Sequence, residues 1–286
     1  KYTAARLGGT ADYLVVVKDS VGDLAEIVTL AWEASNMPVR VIGGGANILV
    51  SDAGVRGLVI VNKVNNIQHG DWHDGRTVSA TSGTSMTTLA NKCLSLGLAG
   101  MEWAISVPGT VGGSIVNNAG AHGSDMNDSL ADVVVVEADR GVKLYTRQDM
   151  KYDYRTSMLK AREDRRFLVL LATFILPHAE TDVIQARMNE FRTHRKESQP
   201  AGASLGSIFK NPDGDYAGRI IESVGLKGHT IGHAMVSPVH ANFFINAGDE
   251  ATASDYLALI RHVQTTVERE LGVELEPEIE LVGEWA

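Results

Sequence analysis

The chain is expected to be an α+β protein, with a glycine-rich, strand-dominated first part and a smaller mixed domain from about residue 179. Three observations predict this. Residues 13–17, 58–61, 133–136 and 168–171 are short runs of Val, Ile and Leu with the composition of buried strands. Helical periodicity interrupts them early and returns late. The 29 glycines gather in two clusters, Gly43-Gly44-Gly45 and residues 109–123, rather than scattering.

Taken in order, residues 21–35 place Leu24, Ile27, Val28 and Ala31 on one helical face, with Asn36 as the stop. Residues 85–96 repeat the pattern through Met86, Leu89, Ala90 and Cys93, and Gly97 ends it. Val183, Ile184, Met188 and Phe191 recur at helical spacing in a charge-rich stretch after Pro177, which reads as the connector into the second domain. Tyr256, Ile260, Val263, Val267 and Leu271 form the clearest amphipathic helix, capped near Thr252. No internal repeat is visible.

A length of 286 residues leaves room for roughly two domains. With 44% hydrophobic and 21% charged residues the composition is that of an ordinary soluble protein. The single cysteine, Cys93, excludes an intramolecular disulfide and any multi-cysteine metal site. No apolar run approaches the ~20 residues of a membrane span. The net charge of -9 argues against a nucleic-acid partner, though a few placed cations can still hold an anionic small molecule. No signal peptide is visible at the start, so a cytoplasmic protein is expected, and a monomer, since no long exposed apolar helix asks for a partner.

Glycines after a strand let backbone N–H groups approach a phosphate closely. Gly43-Gly44-Gly45-Ala46-Asn47 meets that demand, yet no Gly-Lys-Ser/Thr follows, so it is not a Walker loop. Nor does a helix follow: Ile48-Leu49-Val50 reads as another strand, which excludes the Rossmann fingerprint. The second cluster reads Pro108-Gly109-Thr110-Val111-Gly112-Gly113-Ser114, then Asn117-Asn118-Ala119-Gly120-Ala121-His122-Gly123. Tight turns alone could use these glycines. Two loops clasping one pyrophosphate is the better reading.

None of the nine histidines has zinc-site spacing, no metal is expected, and no Gly-x-Ser-x-Gly elbow supports a hydrolase. Cys93 falls on an apolar helix face and reads as a packed thiol. Three spots look chemically purposeful. Tyr154-Arg155-Thr156-Ser157 sets a permanent cation beside aromatic and hydroxyl groups. Gly206-Ser207-Ile208-Phe209-Lys210-Asn211-Pro212 holds a hydroxyl, an ammonium and an amide; on a strand Ser207, Phe209 and Asn211 would share one face. Glu276-Pro277-Glu278-Ile279-Glu280 reads as an acidic C-terminal strand, and a solvated charge run would explain it too.

Together these segments resemble the UDP-N-acetylenolpyruvoylglucosamine reductase family over nearly the whole chain. The similarity rests on Arg6-Leu7-Gly8-Gly9-Thr10-Ala11-Asp12, both glycine loops, Tyr154-Arg155-Thr156-Ser157, Gly206 to Pro212, Gly225-Leu226-Lys227-Gly228, Ser237-Pro238-Val239-His240-Ala241-Asn242 and the closing Leu275-Glu276-Pro277-Glu278-Ile279. The spacing between Arg155 and Ser207 is similar to the subclass without a tyrosine-bearing substrate loop. Where the family often has Pro-Ser-Ala-Gly-Ser, this chain has Ala203-Ser204-Leu205-Gly206-Ser207.

The resemblance implies a two-lobed FAD-binding domain of the FAD-linked oxidase type over 1–178, with lobes at about 1–63 and 64–178. A substrate-binding α+β domain over 179–286 would follow, its last strand returning a glutamate to the active site. It implies FAD as bound cofactor, NADPH as hydride donor, and reduction of UDP-N-acetylglucosamine enolpyruvate to UDP-N-acetylmuramate for peptidoglycan. Gly43, Gly44, Gly45, Ala46, Asn47 and Ile48 would hold FAD from the first loop. Pro108, Gly109, Gly112, Gly113 and Ser114, with Asn118, Ala119 and Gly120, would hold it from the second. Ser207 would protonate the enolpyruvyl carbon while Arg155 and Glu278 stabilise the enol, and Tyr154, Asn211, Lys227 and His240 would contact substrate. Lys196, with Arg195 beside it, lies near the position expected to grip the diphosphate. Arg155 suits an enolate-like charge because a guanidinium binds a carboxylate bidentately. Glu278 would serve best protonated or hydrogen-bonded, since two anions repel at one carbon. The rival readings are another FAD-linked oxidase on the same fold, a non-catalytic flavin- or nucleotide-binding protein, and a nucleotide-sugar transferase.

Overall fold

The structure is a computed structural model that describes residues 1–34 and 37–285; the helix stop expected at Asn36 lies outside the described residues. The chain divides into two compact units, and both are assembled from separated stretches of sequence. One comprises Tyr13–Gly44 and Gly57–His194; the other comprises Lys1–Asp12, Gly45–Arg56 and Arg195–Ala286. The expected contiguous division at residue 178 therefore does not follow the units: the first residues and the turn after Gly44 pack with the C-terminal segment. Periodicity reports local structure, and such long-range pairing leaves no periodic trace.

In the larger unit, the strand Val39–Ile42 pairs in parallel with Val55–Asn62, from Val39 opposite Leu58 to Ile42 opposite Val61. The expected strand at 13–17 is the end of Ala11–Val17, on the other side of Val55–Asn62. The helix Val21–Ala34 buries Leu24 and Val28, as its stripe predicts, against Val17, Ile60 and Val64. A five-stranded antiparallel sheet runs in the order Gly141–Thr146, Leu130–Glu137, Phe167–Ile175, Thr77–Thr81, Ile67–Gly70. The helix Met86–Ser95 starts where the Ser85 hydroxyl accepts the Thr88 N–H, and Gly97 follows it at φ 65°. Cys93 is buried on it, and burial pushes the thiol pKa up to about 12. The helix Thr181–Ser198 buries Ile184 and Met188, while Val183 lies off that face and is exposed.

In the other unit, four strands are ordered Ser204–Ser207, Phe243–Asn246, Ala234–Val236, Thr230–Ile231. The helix Ala253–Leu271 supplies much of its core through Tyr256, Leu259, Ile260, Val263 and Val267. Thr252 and Asp255 form a reciprocal capping box at its start, and Gly272 at φ 67° ends it. The short strand Glu280–Val282 pairs in parallel with Ile48–Val50.

Candidate functional site

The glycine loops meet within the larger unit. A Cβ on Gly43 would collide with Thr110 Oγ1, and one on Gly44 would stand 2.9 Å from Gly109 Cα. Gly112 is similarly bare because a Cβ there would come within 2.8 Å of Ser82 Cβ. These three glycines are required by the protein's own packing. Gly113 is not: it is exposed on the first turn of the helix Val111–Asn117, and the nearest atom to its Cβ position is Thr110 Oγ1 at 3.8 Å. An open, side-chain-free backbone beside a second loop is what a diphosphate-bearing cofactor requires, so the residues present fit FAD. Ser114 is buried beneath it, and Pro108 is exposed at the loop's entry. The unit division falls between Gly44 and Gly45.

From Gly45 onward the first loop belongs to the other unit. Gly45 has φ 62°, and its carbonyl accepts the Ala4 N–H at 2.9 Å. Ala46 is half-buried. The Asn47 amide donates to the Glu278 carbonyl at 3.1 Å, its own carbonyl accepts the Glu280 N–H at 2.9 Å, and Ile48 opens the strand that pairs with Glu280–Val282. Glu278 precedes that strand and is half-buried, whereas Glu276 is exposed and paired with Lys210 at 2.5 Å. Glu276 and Glu278 of the acidic run therefore lie in different environments.

Ser207 ends its strand just after a register break, with Gly206 at φ 75°. The next residue, Ile208, accepts the Glu278 N–H at 2.7 Å and donates to the Asn242 carbonyl at 2.9 Å. The buried Asn242 side chain accepts the Phe209 N–H at 2.9 Å and donates to the Phe209 carbonyl at 2.8 Å, as a neighbouring strand would. The expected common face of Ser207, Phe209 and Asn211 is corrected here. The strand stops at Ser207, Phe209 is buried, and Asn211 is exposed with its side-chain oxygen accepting the Ala217 N–H at 3.1 Å. Lys227 pairs with Glu222 at 2.7 Å. Burial, then the charge of Lys227, lowers the pKa of His240, whose Nδ1 accepts the Asn242 N–H at 3.2 Å. Of the two cations near the expected diphosphate position, Lys196 is exposed, while Arg195 is half-buried and its pKa is lowered by that burial.

Arg155, in the larger unit, has φ 55° and donates to the Gly120 carbonyl at 3.1 Å and the Asn118 carbonyl at 3.5 Å. Its guanidinium lies 5.2 Å from the Tyr154 ring, which is largely exposed. Ser157 is buried and donates to the Val116 carbonyl at 2.6 Å. Ala119 bonds back to Ser114 and forward to Met126, and Gly120 pairs with Asp125 in a two-residue hairpin. Sequence reasoning assigned no role to Ser157 or Asn242. Asn242 is a polar residue between Ala241 and Phe243, and a buried polar group must find a partner; Ser157 carries no such signal. Among the described residues, no cluster of three or more His, Cys, Asp or Glu could hold a metal, and no helix is long and apolar enough to cross a membrane.

A paired-loop cradle beside a five-stranded sheet is that of an FAD-binding flavoprotein, and residues 13–142 match the FAD binding domain family. Residues 198–282 match the C-terminal domain of UDP-N-acetylenolpyruvoylglucosamine reductase. The enzyme of that name from Rubrobacter xylanophilus is 42% identical over 99% of this chain and 93% of its own length. Its counterpart from Symbiobacterium thermophilum, numbered 2, is 40% identical over 99% and 90%. The crystal structure of the Thermus caldophilus reductase is similar with a TM-score of 0.79 at 32% identity, covering 98% of this chain and 96% of that one. The chain belongs to the UDP-N-acetylenolpyruvoylglucosamine reductase family.

Proposed function

We propose that this protein is a UDP-N-acetylmuramate dehydrogenase, reducing UDP-N-acetylglucosamine enolpyruvate with FAD as bound cofactor and NADPH as hydride donor. The observation that supports the reading is the main-chain bond between Glu278 and Ile208 at 2.7 Å, which joins the Glu278 segment to the residue after Ser207. FAD, held by the two glycine loops, would supply hydride chemistry at the vinyl carbon of the substrate, with NADPH as the donor.

The chain's own residues manage charge and proton. Ser207 donates the proton to C2, and Glu278 assists at the same carbon. Arg155 stabilises the enolate-like charge, a preorganised contact worth about 3–4 kcal/mol in comparable sites. Asn211, Tyr154, Lys227 and His240 are proposed to contact substrate. For the diphosphate, the half-buried Arg195 is favoured over Lys196, because a cation already shielded from water binds an anion more strongly. By ligand bound rather than by compact unit, residues 1–178 are read as the flavin-binding part and 179–286 as the substrate part. The enzyme is read as a cytoplasmic monomer acting on a small molecule, with no nucleic-acid or membrane partner.

An anaerobic visible spectrum tests the proposal. NADPH should bleach the flavin band and the enolpyruvyl substrate should restore it. A yellow protein that NADPH bleaches but substrate does not restore would favour another oxidase, and one that never takes up FAD would remove the cofactor assignment.

A further inference from the structure

The resemblance assigns Asn118 to the cofactor, yet its side chain is directed elsewhere. Asn118 is buried, and its amide nitrogen donates to Asp125 Oδ2 at 3.0 Å and to the Asp153 carbonyl at 3.1 Å. Its amide oxygen accepts the Asn127 N–H at 3.2 Å. Its main chain is committed too: it terminates the helix Val111–Asn117 at φ 44°, with its N–H on the Ser114 carbonyl. The carbonyl of Asn118 then accepts from Arg155, and so does that of Gly120 two residues on.

We infer that Asn118, together with Lys160, is a positioning residue for Arg155, fixing the guanidinium to the second glycine loop rather than contacting the cofactor. The bond to Asp153 anchors one side of the turn. Asp153 and Thr156 bond each other through main-chain atoms across Tyr154 and Arg155. On the far side the Lys160 ammonium donates to the Arg155 carbonyl at 3.0 Å, and the Lys160 N–H reaches Ser157 Oγ at 3.2 Å. A non-glycine residue at φ 55° is held there only when its surroundings over-determine it, and these bonds do so. The guanidinium can then be presented in one orientation, as stabilising a developing charge requires.

The inference rests on the proposed role of Arg155, so wild-type enzyme must first complete both half-reactions; its failure would indict that role and not the positioning. Asn118→Asp keeps the shape but replaces the donor by an acceptor facing Asp125 and the Asp153 carbonyl. FAD affinity of the apoprotein and flavin bleaching by NADPH should stay at wild-type values. Reoxidation by substrate should slow about 10–100-fold, the usual consequence of a small misplacement. Between about pH 8 and pH 5 that rate should partly recover relative to wild type, because the neighbouring Asp125 carboxylate favours a protonated, donating Asp at 118 while the Arg155 cation opposes it. Lys160→Met, which leaves the Asn118 network intact, should slow the same half-reaction, with Lys160→Arg restoring part of it. Weakened FAD binding with normal half-reactions at saturating FAD would make Asn118 a cofactor contact and overturn the inference. Equal loss in both half-reactions, or no selective loss in Lys160→Met, would overturn it as well.

Discussion

The Glu278 N–H donates to the Ile208 carbonyl at 2.7 Å, so the glutamate segment is bonded directly to the residue after Ser207. The same glutamate's carbonyl accepts the Asn47 amide from the first glycine loop. The Ser207 segment, the Glu278 segment and the first glycine loop are thus joined by one main-chain bond and one bond from the Asn47 side chain to a main-chain carbonyl.

Ser207→Ala follows from that arrangement. The variant should bind FAD and be bleached by NADPH at the wild-type rate. Its reoxidation by the enolpyruvyl substrate should fall by roughly 10²–10⁴-fold, the usual contribution of a positioned acid. Stopped-flow absorbance resolves the two halves, and a matched loss in both would make Ser207 structural.

The glycines separate fold from ligand binding. Gly44→Ala forces a Cβ against backbone at 2.9 Å, so the variant should be destabilised with or without cofactor. Gly113→Ala meets nothing closer than 3.8 Å and adds a good helix former, so the apoprotein should melt at or slightly above the wild-type temperature. Its FAD affinity should nevertheless drop by about tenfold or more, equivalent to about 1.4 kcal/mol. A Gly113→Ala apoprotein that binds FAD as wild type does would remove this glycine from the cradle.

The contrast among these glycines also marks what the sequence reveals. Strands and helices were legible because their burial is periodic: Leu24 and Val28, or Tyr256, Ile260 and Val263, face the core as their spacing demands. The glycine loops were legible as loops, but the different reasons for Gly43 and Gly113 were not, since only the partner loop distinguishes them. Alternation misled at Ser207, because a register break is invisible in a two-residue period. Asn118 illustrates a further limit. A motif can place a residue beside a cofactor without saying which way its side chain turns.

Asp52 should hold a helix it is far from in sequence. Its carboxylate accepts the Ala253 N–H at 2.8 Å, the Ser254 N–H at 2.8 Å and the Ser254 hydroxyl at 2.6 Å, at the start of Ala253–Leu271. Partial burial opposes ionisation, yet the hydrogen bonds prevail and lower the pKa. A carboxylate with a depressed folded pKa stabilises fully above the unfolded value near 3.8 and loses that contribution as pH falls through the folded value. Asp52→Ala should cost about 0.5–1 kcal/mol at pH 7, at the lower end of cap removals because the group is solvent-exposed. Urea denaturation at pH 7 and again near pH 2 measures it. A gap between wild type and variant that stays constant down to the lower pH would contradict the capping role.

His240 should be neutral, with its proton on one defined nitrogen. The Asn242 main-chain N–H can only donate, so Nδ1 of His240 must accept at 3.2 Å and the proton resides on Nε2. The ring also lies edge-on to Phe243 at 4.8 Å and fills the space above Gly218, where a Cβ would come within 3.0 Å of Cε1. Burial disfavours the imidazolium, and the Lys227 ammonium disfavours it further, while a hydrogen bond to the residue's own backbone and then the Glu222 carboxylate oppose both more weakly. Because the folded pKa is below the unfolded value near 6.5, this group's contribution to stability is complete above that pH and is lost as pH falls through the folded value. Wild-type protein should therefore lose stability between about pH 7 and pH 5 more steeply than His240→Gln. Nitrogen-15 NMR at pH 7 should find the Nε2–H tautomer, presenting a donor suited to a phosphate or carbonyl oxygen of the substrate. An Nδ1–H tautomer, or a ring that titrates at or above the unfolded value, would refute both the hydrogen bond and the binding role built on it.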